Sequence, residues 1–185
     1  MTLVDSNRHP VVILPKPSCL LAIHLEEYMN LSEILLVERI KINPVNRSKN
    51  DLIEELIDLA VETEGIQNRD DFRKKVFERE ALQSTGLSDG IAIPHAKTPH
   101  VKKLMVCLGV CQSGVDFEAV DEQPTCLVFL IAIPENQDAA YLRLLSQIAR
   151  IFGKPYVREQ ILKGKAPHEI IQTIRNEEGL LVFGA

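Results

Sequence analysis

The chain has 185 residues, 45% of them hydrophobic and 25% charged, which is the composition of a globular protein with a core of ordinary size. A formal net charge of −5 leaves no overall basic field to hold nucleic acid or an anionic lipid surface. No stretch approaches the roughly 18 continuous apolar residues of a membrane span, so a cytoplasmic protein built on one domain is expected.

Residues 1 to 28 carry several prolines and no period, and are expected to be an N-terminal extension, partly ordered at best, ahead of a domain over 29–185. Within them HPVVILPKPSCLLAIHLEEYMN invites a signal-peptide reading, but Pro15, Lys16 and Pro17 interrupt its apolar core and no clean small-residue cleavage site follows. Met29 opens a more regular text and is itself a candidate start. NLSEILLVERIKI then reads as a short helical turn followed by a strand. Ser48 is suited to cap a helix from about Lys49 to Glu64, with Leu52, Ile53, Leu56, Ile57 and Ala60 in one apolar stripe and Gly65 as its end. A second helix, DDFRKKVFEREAL, turns Phe72, Val76 and Phe77 toward the core.

Ser84 to Gly90 is rich in small residues and turn formers, a composition that lets backbone approach a ligand. Gly90 to Ile93 reads as extended. Pro94 removes a backbone donor, so the strand is expected to stop there with His95 as the first side chain beyond it. Two aliphatic runs, KLMVCLGVC and PTCLVFLIAIP, are expected as buried strands. Asp138 is read as the cap of AAYLRLLSQIARIF, which Gly153 and Pro155 stop, and PYVREQILKG and APHEIIQTIRN complete the chain as shorter helices. Helices precede, separate and follow the strands, so the fold class is α/β, a mixed β-sheet flanked by helices. Of four cysteines, Cys107, Cys111 and Cys126 lie in apolar runs where a thiol acts as a small core residue. Together with Cys19 they show no paired metal spacing, and all are read as reduced.

Taken alone, His95 is either a functional group presented at the end of a buried element or a histidine incidental to a turn. Its surroundings narrow the choice. Arg79-Glu80, then Ser84-Thr85-Gly86, then the GIAIPH core at 90–95 and D-E-Q-P at 121–124 follow one another in order. This succession resembles the IIA domain of the mannitol/fructose class, a phosphocarrier of the bacterial phosphoenolpyruvate-dependent phosphotransferase system, with wording nearest its nitrogen-regulatory branch. The resemblance runs from Met29 to the C-terminus.

The resemblance implies a mannitol/fructose-class IIA-like fold in which His95 accepts a phosphoryl group and passes it on. The chemistry agrees, because a neutral imidazole is nucleophilic and forms a labile phosphohistidine suited to relay. Arg79 is implied to lie beside the phosphoryl group, where a rigid cationic fork meets two oxygens, and Glu80 is read as an orienting partner for Arg79. The Ser84 and Thr85 hydroxyls, with backbone near Gly86, are candidates for phosphate binding or for plain turn capping. Tyr141 stands where the family commonly carries a second histidine. It offers a phenol in place of an imidazolium, or serves as a core aromatic with Leu144 and Leu145.

No cofactor and no metal are expected: His100 lies near His95 without a third ligand at a recognisable spacing, and His9, His24 and His168 read as surface or tail residues. The implied phosphoryl donor is the histidine phosphocarrier HPr or its nitrogen-branch counterpart. The implied recipient is a IIB domain or a regulatory target protein. The expected function is a regulatory carrier of the nitrogen-regulatory type; the alternatives are a sugar-specific (fructose or mannitol) IIA feeding a separate IIB, and a binding paralogue that is never phosphorylated.

Overall fold

Alternation within two long aliphatic strands decides the architecture. In the computed structural model, which describes residues 30–45, 48–63 and 66–183, five strands form one mixed sheet: β1 (Ile40–Ile42), β2 (Ile91–Ala92), β3 (His95–Lys97), β4 (Met105–Val115) and β5 (Thr125–Ile133). The order is β1-β4-β5-β2, with β3 also on β5. β4 and β5 run antiparallel through the centre, and β1, β2 and β3 add to them in parallel. Successive side chains of a strand point to opposite faces. Thus Leu127, Phe129, Ile131 and Ile133 enter one core while Val128, Leu130 and Ala132 enter the other. With both faces buried, the strands read as unbroken apolar runs rather than as alternation.

Two helical layers cover the sheet. Helices α2 (Lys49–Glu62) and α3 (Arg69–Leu82) pack on the Val128 side through the expected stripe Leu52, Ile53, Leu56, Ile57 and Ala60, joined by Phe72 and Val76. On the Phe129 side lie the short α1 (Leu31–Ile34) together with α4 (Asp138–Phe152), α5 (Pro155–Lys163) and α6 (Pro167–Phe183). Ser48 caps α2 by accepting from the Asp51 N–H at 3.2 Å, and Asn68 does the same for α3 from Asp71 at 3.1 Å. α2 lies directly over Gly109 of β4, where a Cβ would sit 3.4 Å from Leu56, an ordinary contact distance. Cys107 and Cys111 are buried among these apolar side chains, and burial pushes both thiols up to about 12.

Three expectations are corrected. The strand does not stop at Pro94. Ala92 faces Val128 and His95 faces Ile131 in one continuous register, so a single line of chain is interrupted for one rung and resumes at His95. Proline removes the donor of that rung, while its carbonyl still accepts from the Ile131 N–H at 2.9 Å. Asp138 does not cap α4. It is the first helical residue after Gln137, and its carboxylate pairs with Lys97 Nζ at 2.5 Å. The last helix passes well beyond Asn176 because tertiary partners accommodate two buried carboxylates. Glu177 receives Lys154 Nζ at 2.8 Å and the Tyr156 hydroxyl at 2.7 Å, and Glu178 receives the Ser32 N–H and hydroxyl. The proposed extension over 1–28 and the stop at Gly65 lie outside the described residues.

Candidate functional site

His95 opens the edge strand β3, half-buried where the end of α3 and the beginning of α4 meet. Its Nδ1 lies 2.8 Å from the Ile93 carbonyl. A carbonyl only accepts, so Nδ1 carries the proton and the lone pair is left on Nε2. Burial lowers the His95 pKa below the ordinary value. The Ile93 bond and Glu80 pull it upward, while the Arg79 charge pushes it further down. The net result is a neutral ring with its nucleophilic nitrogen defined.

A cavity of about 300 Å³ brings His95 together with Arg79 and Tyr141, and with Lys75, Glu78, Lys97 and Asp138 at its walls. Arg79 comes from the last turn of α3, where one Nη donates to the Gln83 carbonyl at 3.0 Å and the rest of the fork remains for a ligand. Tyr141 comes from the first turns of α4, its ring centroid 5.3 Å from that of His95 at 35°. Burial raises the Tyr141 pKa and Arg79 opposes that rise, so the phenol is a neutral donor at cellular pH. Asp138 and Tyr141 bring the N-terminal end of α4 to the cavity, the end whose backbone carries partial positive charge.

The other sequence candidates are placed elsewhere. Ser84, Thr85 and Gly86 do not line this cavity. The Ser84 hydroxyl donates to the Phe117 carbonyl at 2.6 Å and accepts from the Gly86 N–H at 3.1 Å. Thr85 is buried, with its N–H and hydroxyl both given to Glu80, at 2.9 and 2.6 Å. Gly86 is a packing requirement, since a Cβ would come within 2.8 Å of Ala119 Cα. Glu80 does not orient Arg79 directly. Neighbouring residues on a helix point about 100° apart, and with Arg79 at the cavity Glu80 turns inward to Lys49 Nζ at 2.9 Å. The sequence marks Lys49 only as the start of a helix, and a lysine there carries no signal that would single it out as the partner of Glu80. A larger cavity, about 700 Å³ between Ile34, Arg39 and Leu104, contains none of the site residues. Chemistry, and not volume, marks the site.

The sheet between two helical layers presents a neutral, one-sided imidazole beside a cationic fork, a pairing chemically suited to a small anionic group. Residues 33–177 match the family described as phosphoenolpyruvate-dependent sugar phosphotransferase system, EIIA 2, and the chain belongs to that family. It is a phosphotransfer component, a phosphocarrier of that system, with relatives on its sugar-specific and nitrogen-regulatory sides. It is 34% identical over 141 residues to the fructose-specific EIIA component of Haloferax volcanii, covering 76% of this chain and 92% of that one. To the fructose-specific EIIABC component of Bacillus subtilis it is 32% identical over 150 residues, 81% of this chain but only 24% of that protein. Among solved structures, nitrogen regulatory protein IIA-Ntr from Neisseria meningitidis matches with a TM-score of 0.72 at 32% identity, covering 78% of this chain and 98% of that one. No helix among the described residues is long and apolar enough to cross a membrane.

Proposed function

We propose that Nε2 of His95 is the phosphoryl acceptor of a regulatory carrier that works in the cytoplasm. The observation that carries this is the Nδ1–H bond to the Ile93 carbonyl, which leaves the Nε2 lone pair as the ring's nucleophile inside the cavity that holds Arg79. The donor is the phosphohistidine of HPr or its nitrogen-branch counterpart. As the Nε2–P bond forms, the donor's N–P bond breaks and its electron pair returns to the donor imidazole. No proton need move on this side, because Nδ1–H already supports the charge of the phosphorylated ring. Arg79 meets the phosphoryl oxygens, and phosphoryl transfer asks the protein for little beyond such alignment and charge.

Tyr141 favours a regulatory carrier over a sugar-specific one. A neutral phenol binds a phosphoryl oxygen without supplying an imidazolium, which suits a phosphoryl group that is read by a partner more than one forwarded at transport rates. Phosphorylation adds close to two negative charges to the cavity and so alters any surface docked over it. The test is intact mass after incubation with phosphoenolpyruvate, enzyme I and HPr. One acid-labile phosphoryl group is expected on the wild type and none on His95→Ala. Normal labelling of His95→Ala overturns the acceptor assignment, and transfer to a sugar-specific IIB at transport rates overturns the regulatory reading.

A further inference from the structure

We infer that Glu80 is a positioning residue for the site, tying the end of α3 that carries Arg79 to the segment that orients the His95 ring. The inference rests on His95 as acceptor and adds to it a pathway of contacts. Glu80 is 7% exposed, and every neighbour it engages belongs to the frame of the site. Its Oε1 accepts from the Thr85 N–H at 2.9 Å and its Oε2 from the Thr85 hydroxyl at 2.6 Å, which fixes that peptide from two directions. The Thr85 carbonyl then accepts from the Ile93 N–H at 3.1 Å. The Ile93 carbonyl in turn receives the Nδ1–H of His95 at 2.8 Å. Three hydrogen-bonded steps therefore lead from a buried carboxylate to the tautomer of the reactive ring.

The same residue fixes the arginine. Arg79 and Glu80 are consecutive in the last turns of α3, so clamping Glu80 inward sets the rotation at which Arg79 leaves the helix. Lys49 at the start of α2 supplies the counter-charge. Its Nζ is 2.9 Å from Glu80 Oε1, 3.2 Å from the Ser84 hydroxyl and 2.7 Å from Glu118. Residues from α2 and the 84–86 loop thus converge on one α3 carboxylate that does not line the His95 cavity. The Ile93 N–H is available for this role because successive residues alternate in direction: the Gly90 and Pro94 carbonyls accept from β5, while Ile91 and Ile93 bond to the 85–87 segment on the other side.

The experiment is Glu80→Gln in the full-length chain, read in two ways. Uptake from phosphorylated HPr is expected to lose about tenfold or more in kcat, with KM for HPr unchanged, since misplacement of reacting groups by even an ångström is costly. Imidazole ¹⁵N shifts of the unphosphorylated protein are expected to show a larger share of the Nε2–H tautomer. A wild-type kcat together with wild-type ring shifts, even beside a lowered Tm, overturns the inference, because a merely structural carboxylate moves only the Tm. Should Glu80→Gln fail to fold, Thr85→Val removes one of the two clamps and must shift the same two readouts in the same direction. The ring shifts require no transfer. A wild type that takes no label, beside a tautomer change in Glu80→Gln, refutes the acceptor reading while leaving the contact pathway standing.

Discussion

Replacing Lys49 with Met isolates the charge that permits Glu80 to be buried. The Glu80 side chain is 5% exposed and that of Lys49 14%, whereas Glu118, the other partner of Lys49, is 74% exposed. The Glu118 bond is therefore worth little, about 0–1 kcal/mol at most. Removing one member of a buried pair costs about 3–5 kcal/mol, because the remaining charge loses its compensation. Methionine keeps most of the apolar stem packed, so the lower figure applies at pH 7. For a chain of this size about 3 kcal/mol corresponds to a fall of about 6–12 °C in Tm. The effect has a definite pH signature. Burial alone would raise the Glu80 carboxyl, but Lys49 and Thr85 overcome it and hold the wild-type group below its ordinary value. In the wild type that contribution is present above the unfolded-state pKa and is lost as pH falls through the folded one. In Lys49→Met burial acts unopposed by the ammonium and the folded value rises, so the deficit against wild type must shrink as pH drops from 7 toward 5. Thermal unfolding across that range is the assay. A deficit below about 1 kcal/mol at pH 7, or one that does not change with pH, refutes the reasoning.

Three further outcomes follow from the site. Arg79→Ala should keep the fold and slow phosphoryl uptake by about 10–100-fold, the equivalent of a lost charge-assisted contact, and a wild-type rate in rapid-quench labelling removes the arginine from the mechanism. The ring of His95 should titrate below its ordinary value because it is buried, so uptake persists as pH falls through that ordinary value and declines only further down. Nuclear magnetic resonance should find a midpoint under 6.5 that moves upward in Arg79→Ala, and a wild-type midpoint at 7 or above contradicts the burial argument. Gly86→Ala should lower stability by about 1–3 kcal/mol in denaturant titration, because its Cβ meets Ala119 Cα at 2.8 Å and the Phe117 carbonyl at 3.0 Å, and a neutral result would show that this loop can move aside.

Periodicity made the helices legible. The stripe Leu52, Ile53, Leu56, Ile57 and Ala60 could face only one way, and the aliphatic density of β4 and β5 announced strands covered on both sides. The family resemblance carried by RE, STG and GIAIPH implies that Arg79 and His95 are neighbours, and the structure brings them to the same cavity. What escaped reading was set by partners remote in sequence. Pro94 interrupts a strand rather than ending it, because β5 supplies the ladder on the far side of the gap. Asp138 looks like a cap until Lys97 claims its carboxylate. Asn176 looks like a helix end until Lys154, Tyr156 and Ser32 receive the two glutamates that follow. Glu80 was matched with Arg79 by adjacency, but a helix separates neighbours and joins residues three or four apart.

The strands differ in how far along the chain each must search for its partner. β4 and β5 meet across a short connection, with Val115 opposite Thr125, whereas His95 finds Ile131 only after the whole of β4 has passed, and Ile40 finds Leu108 from further still. Closing long loops costs entropy before any contact repays it, so pairings of near neighbours form first and distant parallel ones last. His95 stands on one of the late arrivals, and the Ile93 residue whose carbonyl meets its ring is itself hydrogen-bonded to Thr85. An incompletely folded chain therefore carries the histidine without the Ile93 carbonyl, Arg79 and Tyr141 arranged around it.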